Sequence, residues 1–247
     1  MKRRRLFTGL LLLAALLGVG SSLLLYQTYR RLYRELWQTR LDPLGLRRLP
    51  EAVPDTSAGR IVMYGDSRAE AWPAPALPPG YAWYNRGIGG HTTAQCLLRW
   101  DRHVALLAPD LVVVQAGVND CYAIGLLPGA GERIAQQAQT HLGALVDTAL
   151  RQGATVILTT IFPPGPPPWY RRPFWSPDIG AAIDATNDFV RRQARPGVYV
   201  LDTGPLLSDD GRHTAARYRS DDLHLNAQGY ARLNTALDSL LRSLPGQ

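Results

Sequence analysis

The apolar positions of this chain follow three spacings, and each predicts a different kind of element. The first is a continuous run over residues 6–26, without a charge and nearly half leucine. The second is a set of short runs closed by turn formers: 60–64 ending at Gly65, 83–86 ending in glycines, 111–115 with three consecutive valines, 154–160 and 198–201. These predict strands. Segments 111–115 and 154–160 lack the alternation of a half-exposed strand, so they predict strands buried on both faces. The third spacing is helical. It covers residues 93–107, which stop before Pro109, then 131–152 with Gly153 as the stop, 184–193 and 227–244. Strands separated by helices predict parallel βαβ units, and therefore an α/β fold: a three-layer α/β/α sandwich around a central parallel sheet.

The opening run needs a different environment. As a helix rising 1.5 Å per residue it would reach about 31 Å, enough to cross the hydrocarbon core of a bilayer. It is apolar on every face and follows Lys2, Arg3, Arg4 and Arg5, which suits a membrane span better than a core helix. A cleaved signal peptide would use Gly18 and Gly20 before Ser21. The apolar run resumes at Leu23, Leu24 and Leu25, which favours an uncleaved signal-anchor. Arg30, Arg31, Arg34 and Arg40 balance the leading cations, yet the compact cluster at the start favours an inside N-terminus. The chain then reads as a single-pass protein of the cytoplasmic membrane with its main domain outside, or a secreted one if the signal is cut. Tyr26, Tyr29, Tyr33 and Trp37 read as interfacial aromatics on a helix that continues out of the membrane. The expected organisation is a cationic start over 1–5, the anchor over 6–26, a juxtamembrane helix and proline-bearing linker over 27–57, and one domain over 58–247.

Charge changes the picture only once it is divided. The net charge is +7 and the pI about 9.7. The first 50 residues hold ten basic and two acidic side chains; the remainder holds 17 basic and 18 acidic. Basicity thus belongs to the N-terminal segment. A nucleic-acid-binding domain would carry its own basic face, so no nucleic-acid partner is expected. Two cysteines, Cys96 and Cys121, are too few for a disulfide scaffold; they stand as two thiols or as one pair.

Four short motifs carry the candidate chemistry: Gly65-Asp66-Ser67, Gly87-Ile88-Gly89-Gly90, Gly117-Val118-Asn119-Asp120 and Asp221-Asp222-Leu223-His224. Each alone has a plain structural reading. Ser67 would make an ordinary helix N-cap, and Asn119-Asp120 an ordinary turn. Their shared location favours chemistry, because Ser67, Gly87 and Asn119 each follow a predicted strand, and His224 just precedes the last helix. Ester hydrolysis needs a nucleophile, a base and donors for an oxyanion, and this set supplies all three. The proline-rich stretch at residues 163–168 follows a strand directly, so it belongs at the strands' C-terminal edge, where open α/β sheets bind ligands. Trp169, Tyr170 and Trp175 beyond it read equally as packing residues or as a specificity loop. No G-x-S-x-G elbow and no complete G-x-G-x-x-G is present. His103, His141 and His213 are scattered, so neither a metal nor a cofactor is expected.

Taken together, the four blocks resemble the SGNH, or GDSL-like, hydrolases. The run from Asn85 to Thr93 resembles the branch containing the catalytic subunits of platelet-activating-factor acetylhydrolase. The resemblance implies a flavodoxin-like sandwich and a serine esterase. Ser67 would be the nucleophile, His224 the base, and Asp221 rather than Asp222 the residue that orients the imidazole. The backbone N–H groups of Ser67 and Gly87 and the Asn119 amide would bind the oxyanion, with Asp66 holding the loop. Features of this chain's own are Arg68 and Arg86, which would meet an anionic substrate group or stand as surface arginines, and His91, which would line the site or cap the next helix. A Cys96–Cys121 pair would brace the asparagine loop. The expected activity is hydrolysis of a short-chain acyl ester of a small molecule, glycan or lipid. Two rivals are an O-acyltransferase acting on cell-envelope glycan and an inactive anchored module that binds glycan or a partner.

Overall fold

The periodicity of residues 93–244 is met by alternating strands and helices in a computed structural model that describes residues 2–46 and 59–244. The chain divides into two units, residues 1–47 and 48–247. In the first, helix α1 runs unbroken over Lys2–Leu41, 40 residues and so about 60 Å long. It contains a stretch long and apolar enough to cross a membrane. Beyond it Tyr29 stacks on Tyr33, and Tyr33 meets Trp37 edge-on. Most of the linker expected between the units lies outside the described residues.

In the second unit, strand β1 (Gly59–Gly65) leads to the short helix α2 (Ser67–Glu70), then strand β2 (Tyr81–Gly87) and helix α3 (Thr93–His103). Strand β3 (Leu111–Gln115) leads to α4 (Val118–Ala123), α5 (Gly131–Arg151) and β4 (Thr155–Thr159). Helix α6 (Pro177–Arg191), strand β5 (Val198–Leu201), helix α7 (Gly204–Leu207) and helix α8 (Ala227–Ser243) complete the order. The five strands pair in parallel in the order β2-β1-β3-β4-β5.

The two-residue period of the strands divides the core. Val62, Tyr64, Val112, Val114, Val156 and Leu158 point to the side covered by α3 and α5. Ile61, Met63, Leu111, Val113 and Ile157 point to the side covered by α8. All are essentially inaccessible, and burying such side chains contributes about 1.5–3 kcal/mol each. A third cluster, with Val118, Ile124, Ile134, Ile161 and Ile179, packs α4 among α5 and α6. Cys96 and Cys121 are free, buried thiols in different clusters, and burial pushes each up to about 12. The strand order reverses between β1 and β3, and in open α/β sheets ligands bind at the carboxyl ends beside such a switch point.

Candidate active site

Ser67 and Asn119 stand at that switch point, just past the ends of β1 and β3. Gly65 closes β1 at φ +152°, and any Cβ there would run into the Gln115 carbonyl, so the chain turns sharply into α2. Asp66 caps α2 by accepting the Arg68 N–H at 2.9 Å. Ser67 is then the first helical residue, and its own N–H donates no hydrogen bond among the described residues.

His224 reaches Ser67 from the loop before α8. Its Nε2 lies 3.0 Å from Ser67 Oγ, and its Nδ1 lies 2.9 Å from Asp221 Oδ2. A carboxylate accepts only, so Nδ1 carries the proton and Nε2 is left to accept from the serine hydroxyl. The second oxygen of Asp221 accepts the backbone N–H groups of Leu223 and His224, at 2.7 and 2.6 Å. Burial alone would raise the Asp221 carboxyl. The hydrogen bonds from the His224 ring and this backbone outweigh it and hold the group below its ordinary value. Asp222 points elsewhere and pairs with Arg171 at 2.9 Å.

Asn119 donates one amide hydrogen to the His91 carbonyl at 2.9 Å. This fixes the amide and leaves its second hydrogen available. Beside it, Asp120 accepts both the N–H and the hydroxyl of Thr93, and the same hydroxyl meets His141 Nδ1 at 3.0 Å. That network ties the start of α4 to the start of α3; burial raises the Asp120 carboxyl against the Thr93 hydrogen bonds.

Several expected positions are corrected. The Gly87 N–H is not free for an oxyanion, because it donates to Asn85 Oδ1 at 2.8 Å. Gly87 is buried, and a Cβ there would collide with the Glu70 backbone, so its smallness serves the packing of α2 on β2. Arg68 neither meets substrate nor lies on the surface. It is wholly buried and donates to the Leu223 and Phe162 carbonyls, at 2.9 Å each. Arg86 is also buried. His91 does not cap α3, since Thr92 does so in a capping box with Gln95. Its carbonyl acts instead, by holding Asn119. Trp169 and Tyr170 pack edge-on against each other and stay exposed, whereas Trp175 packs against Tyr122.

The residue that motif reading misses is Gly90. The Gly89 N–H donates to Glu70 and the His91 N–H to the Ile88 carbonyl, whereas Gly90 donates none among the described residues. Gly90 has φ +79°, is exposed, and a Cβ there would meet nothing within 4 Å. Its neighbour Gly89 lies against Ser67, so the free N–H belongs to the rim of the same site. Asn85 is a second omission. Its amide donates to the Ala69, Glu70 and Trp72 carbonyls and clamps α2 in place. The proline-rich stretch lies where its position after β4 implies: Gly165 N–H donates to the Asp222 carbonyl, and Thr214 bonds the Pro163 and Pro164 carbonyls.

The profile of the GDSL-like lipase/acylhydrolase family matches residues 54–232. Among solved structures, a candidate acylhydrolase from Bacteroides fragilis is similar at 26% identity, over 80% of this chain and 92% of that one, with a TM-score of 0.61. A candidate platelet activating factor protein from Streptococcus pneumonia is similar at 22% identity over 87% and 98%, TM-score 0.66. A variant of an acetyl-xylooligosaccharide esterase from Geobacillus stearmophilus is similar at 20% identity over 77% and 96%, TM-score 0.60. The last two likenesses concern the fold. No curated protein matches the sequence.

Proposed function

Because the chain belongs to the GDSL-like lipase/acylhydrolase family, we propose that it is a membrane-anchored serine esterase that hydrolyses an acyl ester through an acyl-enzyme on Ser67. The observation that carries this reading is the unbroken relay from Ser67 Oγ through His224 to Asp221, at 3.0 and 2.9 Å. Such a relay activates a hydroxyl that is otherwise a poor nucleophile.

In this mechanism Ser67 Oγ bonds to the ester carbonyl carbon while its proton passes to His224 Nε2. Asp221, held ionised, steadies the imidazolium through Nδ1–H. The new oxyanion is held by the Ser67 N–H, the free hydrogen of the Asn119 amide and the Gly90 N–H. The carbon–oxygen bond to the alcohol then breaks, and the alcohol leaves with the proton from Nε2. Water, deprotonated by the same nitrogen, attacks the acyl-enzyme and restores Ser67.

Anchoring draws support from the length and hydropathy of α1 and the cations before it; the catalytic unit would then lie outside the cytoplasmic membrane. Acyl transfer to a glycan is a second reading, favoured by the exposed rings of Trp169 and Tyr170, on which a sugar face would stack. Adding glycan acceptors would reveal it as ester consumption coupled to acylated sugar.

The direct test is turnover of 4-nitrophenyl esters from acetate to palmitate by the full chain in detergent. Ser67→Ala should lower kcat by roughly 10⁴- to 10⁶-fold. Equal turnover by that variant would overturn the mechanism.

A further inference from the structure

A groove of about 410 Å³ opens between α4 and the segment leading into α6. Tyr122, Ala123, Leu126, Phe174, Trp175 and Ile179 line it, with Arg171 at its rim. This size lies within the range of small-molecule sites. Three observations connect the groove to the relay. Tyr122 stands on α4 three residues after Asn119, and its hydroxyl donates to the Asp222 carbonyl at 3.2 Å. Arg171 pairs with the Asp222 carboxylate, which is almost wholly buried, next to Asp221. Trp175 meets Tyr122 edge-on, with ring centroids 5.5 Å apart. Both walls are therefore pinned to the residue beside Asp221. They are also pinned to each other, because Gly125 lies so close to the Phe174 carbonyl that no Cβ would fit between them.

The chemistry of the lining selects the ligand. The walls present aromatic and aliphatic carbon, and the charge of the rim arginine is already spent on Asp222. Among the described residues that line the groove, Arg171 is the only charged one, so no uncommitted charge is left to hold an anion. Leu126 and Phe174 are 67% and 59% exposed, an apolar surface that an apolar ligand would cover.

We propose that this groove binds an apolar substituent of the ester substrate, alkyl or aryl, and sets how well longer or bulkier esters are turned over. The proposal rests on the reading of Ser67 as nucleophile. The substituent belongs to the acyl group or to the alcohol, and two substrate series separate these sources. One lengthens the acyl chain of 4-nitrophenyl esters; the other keeps acetate and enlarges the alcohol.

The experiment uses the full chain, with Ala123→Trp to fill the groove and Phe174→Ala to strip one exposed wall, each checked for a thermal transition like the wild type's. In one series the ratio of kcat/KM for the largest ester to that for the smallest should fall at least about tenfold in Ala123→Trp, the scale on which apolar pockets discriminate. Phe174→Ala should lower the same ratio through KM. The series that responds identifies the side of the ester. Unchanged ratios in both series would overturn the groove while leaving the esterase intact. If Ala123→Trp fails to fold, an unchanged ratio in Phe174→Ala overturns it alone. No serine-dependent turnover of any ester would bring down both the groove and the reading beneath it.

Discussion

Asp66, Ser67 and Arg68 are consecutive, yet only the middle one faces the site. Asp66 and Arg68 are both wholly buried, and each meets the electrostatic cost in its own way. Arg68 spends its guanidinium on two carbonyls, one of them Leu223 beside His224, and lies over the Phe162 ring at 4.9 Å. It thereby ties the Ser67 turn to the His224 loop. Burial raises the Asp66 carboxyl to about 6, against the pull of the Arg68 charge and N–H. An unfolded Asp titrates at about 3.9. Between about pH 4 and 6 the folded chain therefore holds a proton that the unfolded chain has lost, so this group's contribution to stability falls as pH rises through that window. Asp66→Asn keeps an acceptor for the Arg68 N–H and removes the titration. The stability of wild type minus that of Asp66→Asn, from denaturant unfolding, should fall by roughly 2–3 kcal/mol from pH 4 to 7. A constant difference would mean that Asp66 is ionised throughout. Asn119 makes a separate prediction. Asn119→Ala should lower kcat by about 10²- to 10³-fold with little change in KM, since the donor would act only on the developing oxyanion. A change confined to KM would place the amide in ground-state binding instead.

Between elements, the site depends on how closely α2 lies on β2. Gly87 lets the Glu70 backbone approach, and Asn85 locks the contact with its amide. Gly87→Ala keeps the backbone N–H but adds a methyl group where there is no room. It should cost about 1–3 kcal/mol by overpacking, read as a lower denaturation midpoint, with activity falling because Ser67 moves with α2. Full stability together with lost activity would return Gly87 to the oxyanion site. This pair also shows why the sequence was legible in part. The strands announced themselves through β-branched runs, or in β2 an aromatic one, closed by turn formers, and the observed bounds lie within two residues of the expected ones. The start of α6 at Pro177 was hidden, because the cap at Ser176 follows an aromatic and cationic loop rather than a periodic pattern. Helix α4 has six residues and no side-chain cap, too few for a period to emerge. The relay could be expected because its residue types are distinctive. The choice between Gly87 and Gly90 could not, since it turns on which backbone N–H a folded-back asparagine has taken. The burial of Arg68 depends on carbonyls 94 and 155 residues away, which no local pattern encodes.

At the scale of the whole chain, charge and hydropathy are segregated so that one part suits lipid and the other suits water. The catalytic unit has a nearly balanced charge and packs an apolar core on each side of the sheet. Helix α1 keeps its leucines exposed along a stretch preceded by four cations, an arrangement that water disfavours and a bilayer satisfies. The helix is about twice as long as a hydrocarbon core is thick, so an anchor over residues 6–26 would leave Tyr29, Tyr33 and Trp37 for the interface. An arginine at the centre of a span costs about 2.5–3.5 kcal/mol on insertion, so Leu12→Arg with Leu16→Arg should remove about 5–7 kcal/mol. That corresponds to roughly a 10⁴-fold shift in partition. The wild-type chain should stay with membranes through an alkaline carbonate wash and retain the residues before Ser21, whereas the double variant should appear in the soluble fraction. A wild-type protein that begins at Ser21 and washes free would instead make the apolar stretch a removable leader, and the esterase a secreted one.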